Sequence, residues 1–147
     1  MRWIAAIALV LAGGALAADS AAAADAPNPF AAAGVTAEDA RHAFNDLQNA
    51  VRANDASAVA DLVAFPLRVN LPDGRTRTIA DRKVFLVEYP LLFDDKLRAV
   101  VLEATIDRLS ASAYGIMFGR GELWMRSVCE HSGCSDPQLR IIALNES

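Results

Sequence analysis

Apolar residues recur at helical spacing in the segment that follows Thr36. Four of them lie three or four residues apart: Ala40, Phe44, Leu47 and Val51. This spacing places them on one face and predicts a helix from about Ala37 to Ala53. Thr36, with Asp39 three residues later, resembles a capping box that would begin this helix. We therefore expect the folded part of the chain to start with an amphipathic helix.

Two further helices are predicted before the middle of the chain. Asn54-Asp55 interrupts the first helix, and a second short helix runs until Pro66, with the apolar positions Val59, Leu62 and Val63. Asp81 is suited to N-cap a third helix, whose apolar face is formed by Phe85, Tyr89 and Leu92. Pro90 is expected to bend the third helix, and Asp94-Asp95 to end it.

Strand patterns dominate the remaining segments. Leu67–Leu71 alternates apolar and polar residues, Pro72-Asp73-Gly74 is a turn, and Arg75–Ile79 is a candidate return strand. Four later segments have strand-like composition: Ala99–Ile106, Ala113–Phe118, Arg120–Cys129 and Gln138–Leu144. This order predicts an α+β fold in which the N-terminal helices pack on one face of an antiparallel sheet. Glycines at positions 115, 119 and 121 predict strands that bend strongly, giving a curved, cone-shaped sheet.

The N-terminus has the organisation of a secretory signal peptide. Arg2 is followed by the apolar run Ile4–Leu11 and by Ala15-Leu16-Ala17, an A-x-A cleavage pattern. We expect residues 1–17 to be a signal peptide, with cleavage after Ala22-Ala23-Ala24 as the alternative. The apolar stretch is shorter than the roughly 20 residues of a membrane span, and no cysteine near either site could carry a lipid. The prediction is a periplasmic or secreted protein without a membrane anchor.

Composition bounds the rest of the chain to one domain. The Ala- and Pro-rich segment 18–34 is expected to be a flexible leader, followed by a single domain at 35–147. The chain has 14 Lys and Arg against 18 Asp and Glu, a net charge of −4. It lacks the basic stripe typical of nucleic-acid binding, so no nucleic-acid partner is expected. It has no cofactor-binding motif either, and we predict no cofactor.

The two cysteines lie close together in the sequence Cys129-Glu130-His131-Ser132-Gly133-Cys134. In an oxidising compartment we expect them to form a disulfide that pins a hairpin turn. The alternative is a metal site made by the two cysteines and His131, which offers only three ligands at an unfamiliar spacing. His42 falls off the apolar face of the first helix, and both histidines are expected to be solvated.

The element order resembles that of the nuclear transport factor 2-like superfamily. Two helices, the Phe65-Pro66-Leu67 strand, a third helix and a long meander are similar to its members, and so is the Tyr114–Trp124 segment with its Gly-x-Gly-Glu-x-Trp run. The resemblance covers about Val35–Leu144. It implies a cone-shaped fold with a pocket between helices and sheet, often dimerised through the outer sheet face. Members range from isomerases and dehydratases to binding modules, and the residues of the enzymatic members find no matching motif here.

Strand alternation puts four distinctive residues on one face of the segment 120–129: Arg120, Glu122, Trp124 and Arg126. One interpretation is the wall of a pocket or an interface. The other is a solvated surface, on which an Arg and Glu pair contributes under about 1 kcal/mol. Trp124 is expected to be partly buried, against the third helix or a partner, because its large ring is costly to hydrate.

Glu103 and Arg68 are the other ionisable candidates. Each alternates with the apolar positions of its predicted strand, so they could pair inside the cone, with Tyr114 nearby. The alternative is a cross-strand ion pair without chemistry. A catalytic carboxylate would need desolvation or a charged neighbour to tune its pKa.

These observations predict an exported, non-enzymatic module that binds a small apolar ligand or an envelope protein, as a monomer or a homodimer. The candidate surface consists of Arg68, Glu103, Tyr114, Glu122, Trp124 and Arg126. One alternative is an isomerase, dehydratase or hydrolase with a buried carboxylate in the cone. Another is an inhibitor or immunity-type partner, because Trp and Arg are favoured at binding hot spots.

Overall fold

The computed structural model describes residues 26–147, and both predicted cleavage sites and the signal peptide lie outside them. The described part of the chain forms an α+β fold, as predicted. Its α-helices are α1 (Ala37–Arg52), α2 (Ala56–Ala60), α3 (Arg82–Leu92) and α4 (Asp95–Glu103). Its strands are β1 (Val63–Asn70), β2 (Thr76–Ile79), β3 (Ser110–Ser112), β4 (Gly115–Phe118), β5 (Leu123–Val128) and β6 (Gln138–Asn145).

Each α-helix begins at a side chain that accepts a hydrogen bond from the backbone three residues later. Thr36 and Asp81 start α1 and α3 in this way, as the sequence predicts. Asp55 starts α2, and Asp94 accepts from the Leu97 N–H at 2.9 Å to start α4. These caps satisfy donors that a helix cannot pair internally. The sequence therefore sets the helix starts locally.

The prediction of a strand at Ala99–Ile106 is wrong, because most of this segment belongs to α4. The neighbouring Val100 and Val101 give it a strand-like composition, but Leu97 and Val101 are one helical turn apart and both are buried. The cap at Asp94 starts the helix just after α3 ends. Glu103 is consequently the last residue of a helix and is exposed.

The second predicted helix ends earlier than expected. Val63 is the first residue of β1, so α2 stops at Ala60 and the strand already includes Pro66. Val63 is buried and pairs with Ile141 of β6. Proline lacks an N–H for the ladder, and the pairing of β1 with β6 is irregular around this position.

The six strands form one open sheet in the order β2-β1-β6-β5-β4-β3. The predicted antiparallel meander is confirmed from β4 to β6, and β2 is the antiparallel return strand of β1. The short β3, which was not predicted, extends the meander by one antiparallel strand. The prediction of a wholly antiparallel sheet is wrong, because β1 and β6 pair in parallel. The last strand thereby joins the first hairpin to the meander.

A single apolar cluster fills the space between the helices and the sheet. Phe44 of α1 stacks on Phe118 of β4 with ring centroids 6.0 Å apart. Phe85 of α3 meets Phe65 of β1 edge to face. Phe30, which is 3% exposed, joins the same cluster from within the segment expected to be a flexible leader. Packing therefore begins before Val35, the predicted start of the domain.

Cys129 and Cys134 form a disulfide, as predicted, in the connection between β5 and β6. Their Cα atoms are 5.2 Å apart. The bond removes both thiols as metal ligands, so the alternative metal site with His131 is not formed. Within residues 26–147, no group of three His, Cys, Asp or Glu side chains is arranged to hold a metal ion. No helix in this range combines the length and the apolar character that crossing a membrane requires.

Replacing Gly115 by alanine should destabilise the sheet. A Cβ at this position would overlap the carbonyl oxygen of Met125 on β5, and the φ of +129° already favours glycine. Gly133, at φ +99° with open space where a methyl group would be added, offers a matched control. We expect Gly115→Ala to lower the free energy of unfolding by about 1–3 kcal/mol more than Gly133→Ala. Urea denaturation measures the difference, and equal losses would contradict a close approach of β4 to β5.

Replacing Tyr89 by phenylalanine should leave the protein at least as stable at neutral pH. Tyr89 is 4% exposed, and its hydroxyl finds no hydrogen-bond partner among residues 26–147. Arg98 lies close to the hydroxyl without regular hydrogen-bond geometry, so removing the hydroxyl loses no regular hydrogen bond and relieves a desolvation cost. We expect Tyr89→Phe to raise the free energy of unfolding by up to about 1 kcal/mol. A loss above about 1 kcal/mol in urea denaturation would show that the hydroxyl is paired.

The same substitution should change the alkaline part of the stability profile. Burial raises the pKa of Tyr89 above 10.0, and the nearby Arg98 guanidinium offsets part of this shift through its charge and its approach to the hydroxyl. The folded protein then holds the proton that the unfolded chain releases, so this contribution to stability is lost as the pH rises above about 10. Tyr89→Phe should flatten the fall in stability above that pH relative to the parent protein. An equally steep fall in the variant and in the parent would contradict the raised pKa.

Candidate functional site

The two faces of the sheet differ in what they present. Residues that face the helices are buried, among them Leu67, Leu123 and Met125. Their neighbours along the strands, Arg68 and Arg126, are exposed, and Trp124 is half-buried. The face opposite the helices therefore carries side chains that the core does not use. We call it the outer face.

A groove of about 640 Å³ crosses the outer face over β1, β6 and β5. We call it the outer groove, and its lining includes Pro66, Arg68, Tyr114, Trp124, Arg126 and Ile142. Four of the six residues singled out in the sequence thus lie around one depression. Tyr114, in the turn between β3 and β4, is 77% exposed at its margin.

Strand register explains why these residues meet. Arg68 pairs with Ala143, Ala143 with Trp124, and Trp124 with Met117, so one row crosses β1, β6, β5 and β4. Because the Ala143 side chain is small, a depression forms on the sheet surface between the larger side chains of Arg68 and Trp124. Cross-strand neighbours on one face lie close enough to act together on a bound molecule.

Irregular pairing deepens the groove. Between Val63 and Arg68, β1 advances by five residues while β6 advances by two, from Ile141 to Ala143. On its other side, β6 carries one extra residue, Ile142, opposite the step from Trp124 to Met125. Such bulges bend strands and redirect side chains. Here they place Ile142 in the groove wall and turn Ala143 to the outer face.

Arg68 is held in position by a chain of hydrogen bonds. Its Nε donates to Asn70 Oδ1 at 2.9 Å, and the Thr76 hydroxyl donates to the same oxygen at 3.0 Å. Asn70 Nδ2 donates to Asn145 Oδ1 at 2.5 Å, and Asn145 Nδ2 donates to the Gly121 carbonyl oxygen. Within residues 26–147, the two Nη groups of Arg68 have no hydrogen-bond partner. The bond to Asn70 therefore orients the guanidinium and leaves its two Nη groups available to bind another group.

The charged side chains that the strands place on the outer face have one sign. The six strands contain four arginines and no acidic residue. Arg77 faces the helix side and pairs with Glu88 and Glu146, whereas Arg68, Arg126 and Arg140 lie on the outer face. Arg140 pairs with Glu130 at 2.9 Å, and neither Arg68 nor Arg126 has a carboxylate within 4.0 Å among residues 26–147. The outer face is therefore cationic although the chain is acidic overall.

The two predicted glutamates lie elsewhere, with Arg120. Glu103, Arg120 and Glu122 line a separate cleft of about 390 Å³ beside α4. Glu122 Oε2 accepts a hydrogen bond from the Arg120 backbone N–H at 2.6 Å, which closes the turn between β4 and β5. A side chain at Gly119 would overlap this carboxylate. The structure thus does not bring Glu103 together with Arg68 and Tyr114, and Glu122 does not share the face of Trp124 and Arg126.

Sequence reasoning missed Pro66, Asn70, Ile142 and Ala143 in the groove. Simple alternation in Gln138–Leu144 puts Ala143 on the buried face with Leu139 and Ile141, and only the extra residue at Ile142 reverses this. Pro66 in a strand was an available signal, because proline interrupts a ladder. Asn70 gave no signal, since its role depends on partners far away in the sequence.

Compared with protein-family models, with curated proteins and with solved structures, the chain shows no match. The resemblance to the nuclear transport factor 2-like superfamily therefore depends on the element order and the Tyr114–Trp124 segment alone.

Trp124 provides a direct test of the charge in the outer groove. The chain has two tryptophans, so Trp3→Phe leaves Trp124 as the one fluorophore of its kind. In that background, iodide should quench Trp124 more strongly than caesium does, because Arg68 and Arg126 attract anions. Changing both arginines to glutamine should lower the iodide quenching constant by about twofold at low salt. Quenching by neutral acrylamide should stay the same. Equal iodide quenching before and after the change would contradict a cationic groove.

Proposed function

We propose that this chain is a non-catalytic binding module whose working surface is the outer groove. The observation that carries the proposal is the convergence of Trp124, Tyr114, Arg68 and Arg126 on one open depression. Tryptophan, tyrosine and arginine are the residue types that dominate binding hot spots. None of the four side chains fills the core. We therefore infer that they are grouped on one face to bind a partner.

The packing between helices and sheet supports the outer face over an internal ligand site. A cleft of about 390 Å³ opens between the helices and the sheet beside Leu92, Leu97 and Leu144. Most of the space that the family resemblance would assign to a pocket is nevertheless occupied by large side chains of the chain itself, including Phe85, Phe118 and Leu47. A small apolar ligand bound there would have to displace them, at a cost of several kcal/mol for side chains of this size. The outer groove needs no such rearrangement.

An enzyme is the weaker candidate. The carboxylate that such an enzyme would use is best withdrawn from water, yet Glu103 is exposed. Glu122 already accepts a hydrogen bond in a turn. Arg108 and Arg120 line the cleft with the two glutamates, but Trp124 and Tyr114, the aromatic side chains that could assist them, lie on the opposite face of the sheet.

Export and a nuclear transport factor 2-like fold belong to the same proposal. The signal-peptide pattern at residues 1–17 and the disulfide support an oxidising compartment outside the cytoplasm. Helices packed on one face of a sheet that ends in a meander support the family resemblance. Mass spectrometry of the N-terminus of the protein recovered from the cell envelope fraction would identify the cleavage site.

Site-specific photo-cross-linking in the cells that make the protein tests the working surface. A photoreactive phenylalanine analogue at Tyr114 lies at the groove margin, and the same analogue at Val87 on α3 is a matched control, with exposures of 77% and 78%. We expect discrete adducts at position 114 and none at position 87. Adding Trp124→Ala to the variant that carries the analogue at position 114 should abolish these adducts, because it removes the largest apolar contact of the groove.

Adducts at position 87 alone would place the working surface on the helices and overturn the proposal. Adducts at neither position would overturn it as well, provided that both variants unfold at the same temperature as the parent protein. Turnover of a panel of enolisable ketones and esters, lost on changing Glu103 or Glu122, would replace the proposal with the enzymatic alternative.

A further inference from the structure

We infer that the partner of the outer groove is a protein that presents an acidic, extended segment with two carboxylates flanking an apolar side chain. This inference rests on the proposed function and adds the chemistry of the partner. It is carried by the charge of the outer face, the free guanidinium edge of Arg68 and the spacing of Arg68 and Arg126.

Charge complementarity selects an anionic partner. Every charged residue that the strands place on the outer face is an arginine, and of these only Arg140 has a carboxylate partner among the described residues. A second copy of this chain seated on the same face would bring the same arginines together, which like-charge repulsion opposes. Because the strands contain no acidic residue, the carboxylates that bind these arginines come from the partner.

Arg68 is prepared to bind one carboxylate in a defined orientation. With Nε fixed on Asn70 at 2.9 Å, its two Nη groups remain available for two parallel hydrogen bonds to one carboxylate. Such forked pairs are stronger and more directional than those of a lysine. Because Asn70 is itself held by Thr76 and Asn145, little side-chain freedom is left for Arg68 to lose on binding.

The spacing of the two arginines sets the spacing of the carboxylates. Arg68 and Arg126 lie two strands apart and are offset by two residues along the sheet, which places their Cα atoms about 12 Å apart. In an extended segment, residues i and i+4 are about 13 Å apart and point to the same side. Residue i+2 then lies over Ala143, beside Trp124 and Ile142, where an apolar side chain fits.

The shape of the groove favours a protein over a small anion. Pro66, Arg68, Tyr114 and Arg126 are all exposed along its walls, whereas sites for small molecules enclose most of the ligand. Its floor and walls include Ile142, Ala143 and Val128, which offer apolar contact. The side-chain amides of Asn70 and Asn145 in its lining are already hydrogen-bonded within the chain, so they are not free to bind the hydroxyl groups of a polysaccharide. An acidic segment of a protein satisfies both the charge and the apolar surface.

Selection from a random peptide library tests this chemistry directly. Random dodecapeptides displayed on yeast are sorted with the full chain and with its Trp124→Ala variant, and peptides that bind only the former are sequenced. We expect enrichment of Asp or Glu at positions i and i+4 with an apolar residue at i+2. The leading peptide is then synthesised, and its affinity is measured from Trp124 fluorescence in the Trp3→Phe background.

Arginine variants identify the residues that bind the peptide. Arg68→Gln and Arg126→Gln should each weaken binding about tenfold, because each removes a charge-assisted hydrogen-bonding partner. Arg41→Gln, at an exposed arginine on α1, should change the affinity by less than about twofold, since long-range effects are screened. Circular dichroism and thermal unfolding establish that all three variants fold like the parent.

The outcomes separate this inference from the proposed function. Enriched peptides that lack acidic residues but still lose binding in Trp124→Ala overturn the inference and leave the groove as a binding surface. A dimer of the full chain that Trp124→Ala dissociates, measured by sedimentation, overturns the inference because a second copy is then the occupant. Binding that Arg41→Gln weakens as much as Arg68→Gln overturns it too, and together with absent cross-links at Tyr114 removes the proposed function.

Discussion

The parallel pairing of β6 with β1 is the constraint on which the rest of the structure depends. It joins the first hairpin to the meander through two strands that are more than sixty residues apart in the sequence, and so makes one sheet from both. It also aligns the buried positions of both parts toward the helices, with Leu67, Ile141 and Leu144 in the same core. Without this pairing, the first hairpin and the meander would each have to find another cover for an apolar face.

The same pairing is irregular, and its irregularity forms the site. Pro66 cannot donate to a ladder, and Ile142 is an extra residue in β6, so β1 and β6 depart from regular pairing beside each other. A sheet tolerates such defects where one face is packed, because the core side chains still fix the register. Stability and function are thereby divided between the two faces, and the outer groove can exist without opening the core.

Sequence patterns predicted the features that depend on neighbouring residues, and they failed for features that depend on contacts between distant segments. The caps at Thr36 and Asp81, the helical spacing up to Val51 and the Cys129–Cys134 disulfide each depend on a few neighbouring residues, and the structure confirms them. The composition of Ala99–Ile106 predicts a strand, but its adjacent valines are compatible with a strand or a helix. The segment is mostly helical because the helical conformation buries Leu97 and Val101 in the core. Because Glu103 ends a helix instead of lying in a strand, it is not beside Arg68, and the predicted pairing of these two residues is not formed. The face of Trp124 and Arg126 followed from alternation, but their link to Arg68 required the strand order.

The two arginines of the groove are suited to different tasks, and this follows from what each one touches. Arg68 is oriented through Asn70, so it can impose a direction on a carboxylate, and a misdirected group would lose the second hydrogen bond. Arg126 is exposed at the end of the groove and can adjust to its partner, which suits attraction over a distance rather than precise contact. With the indole of Trp124 between them, a bound segment meets a fixed charge, an apolar surface and an adaptable charge in sequence. Under the proposed function, selectivity is set at the Arg68 end of the groove and the rate of encounter at the Arg126 end.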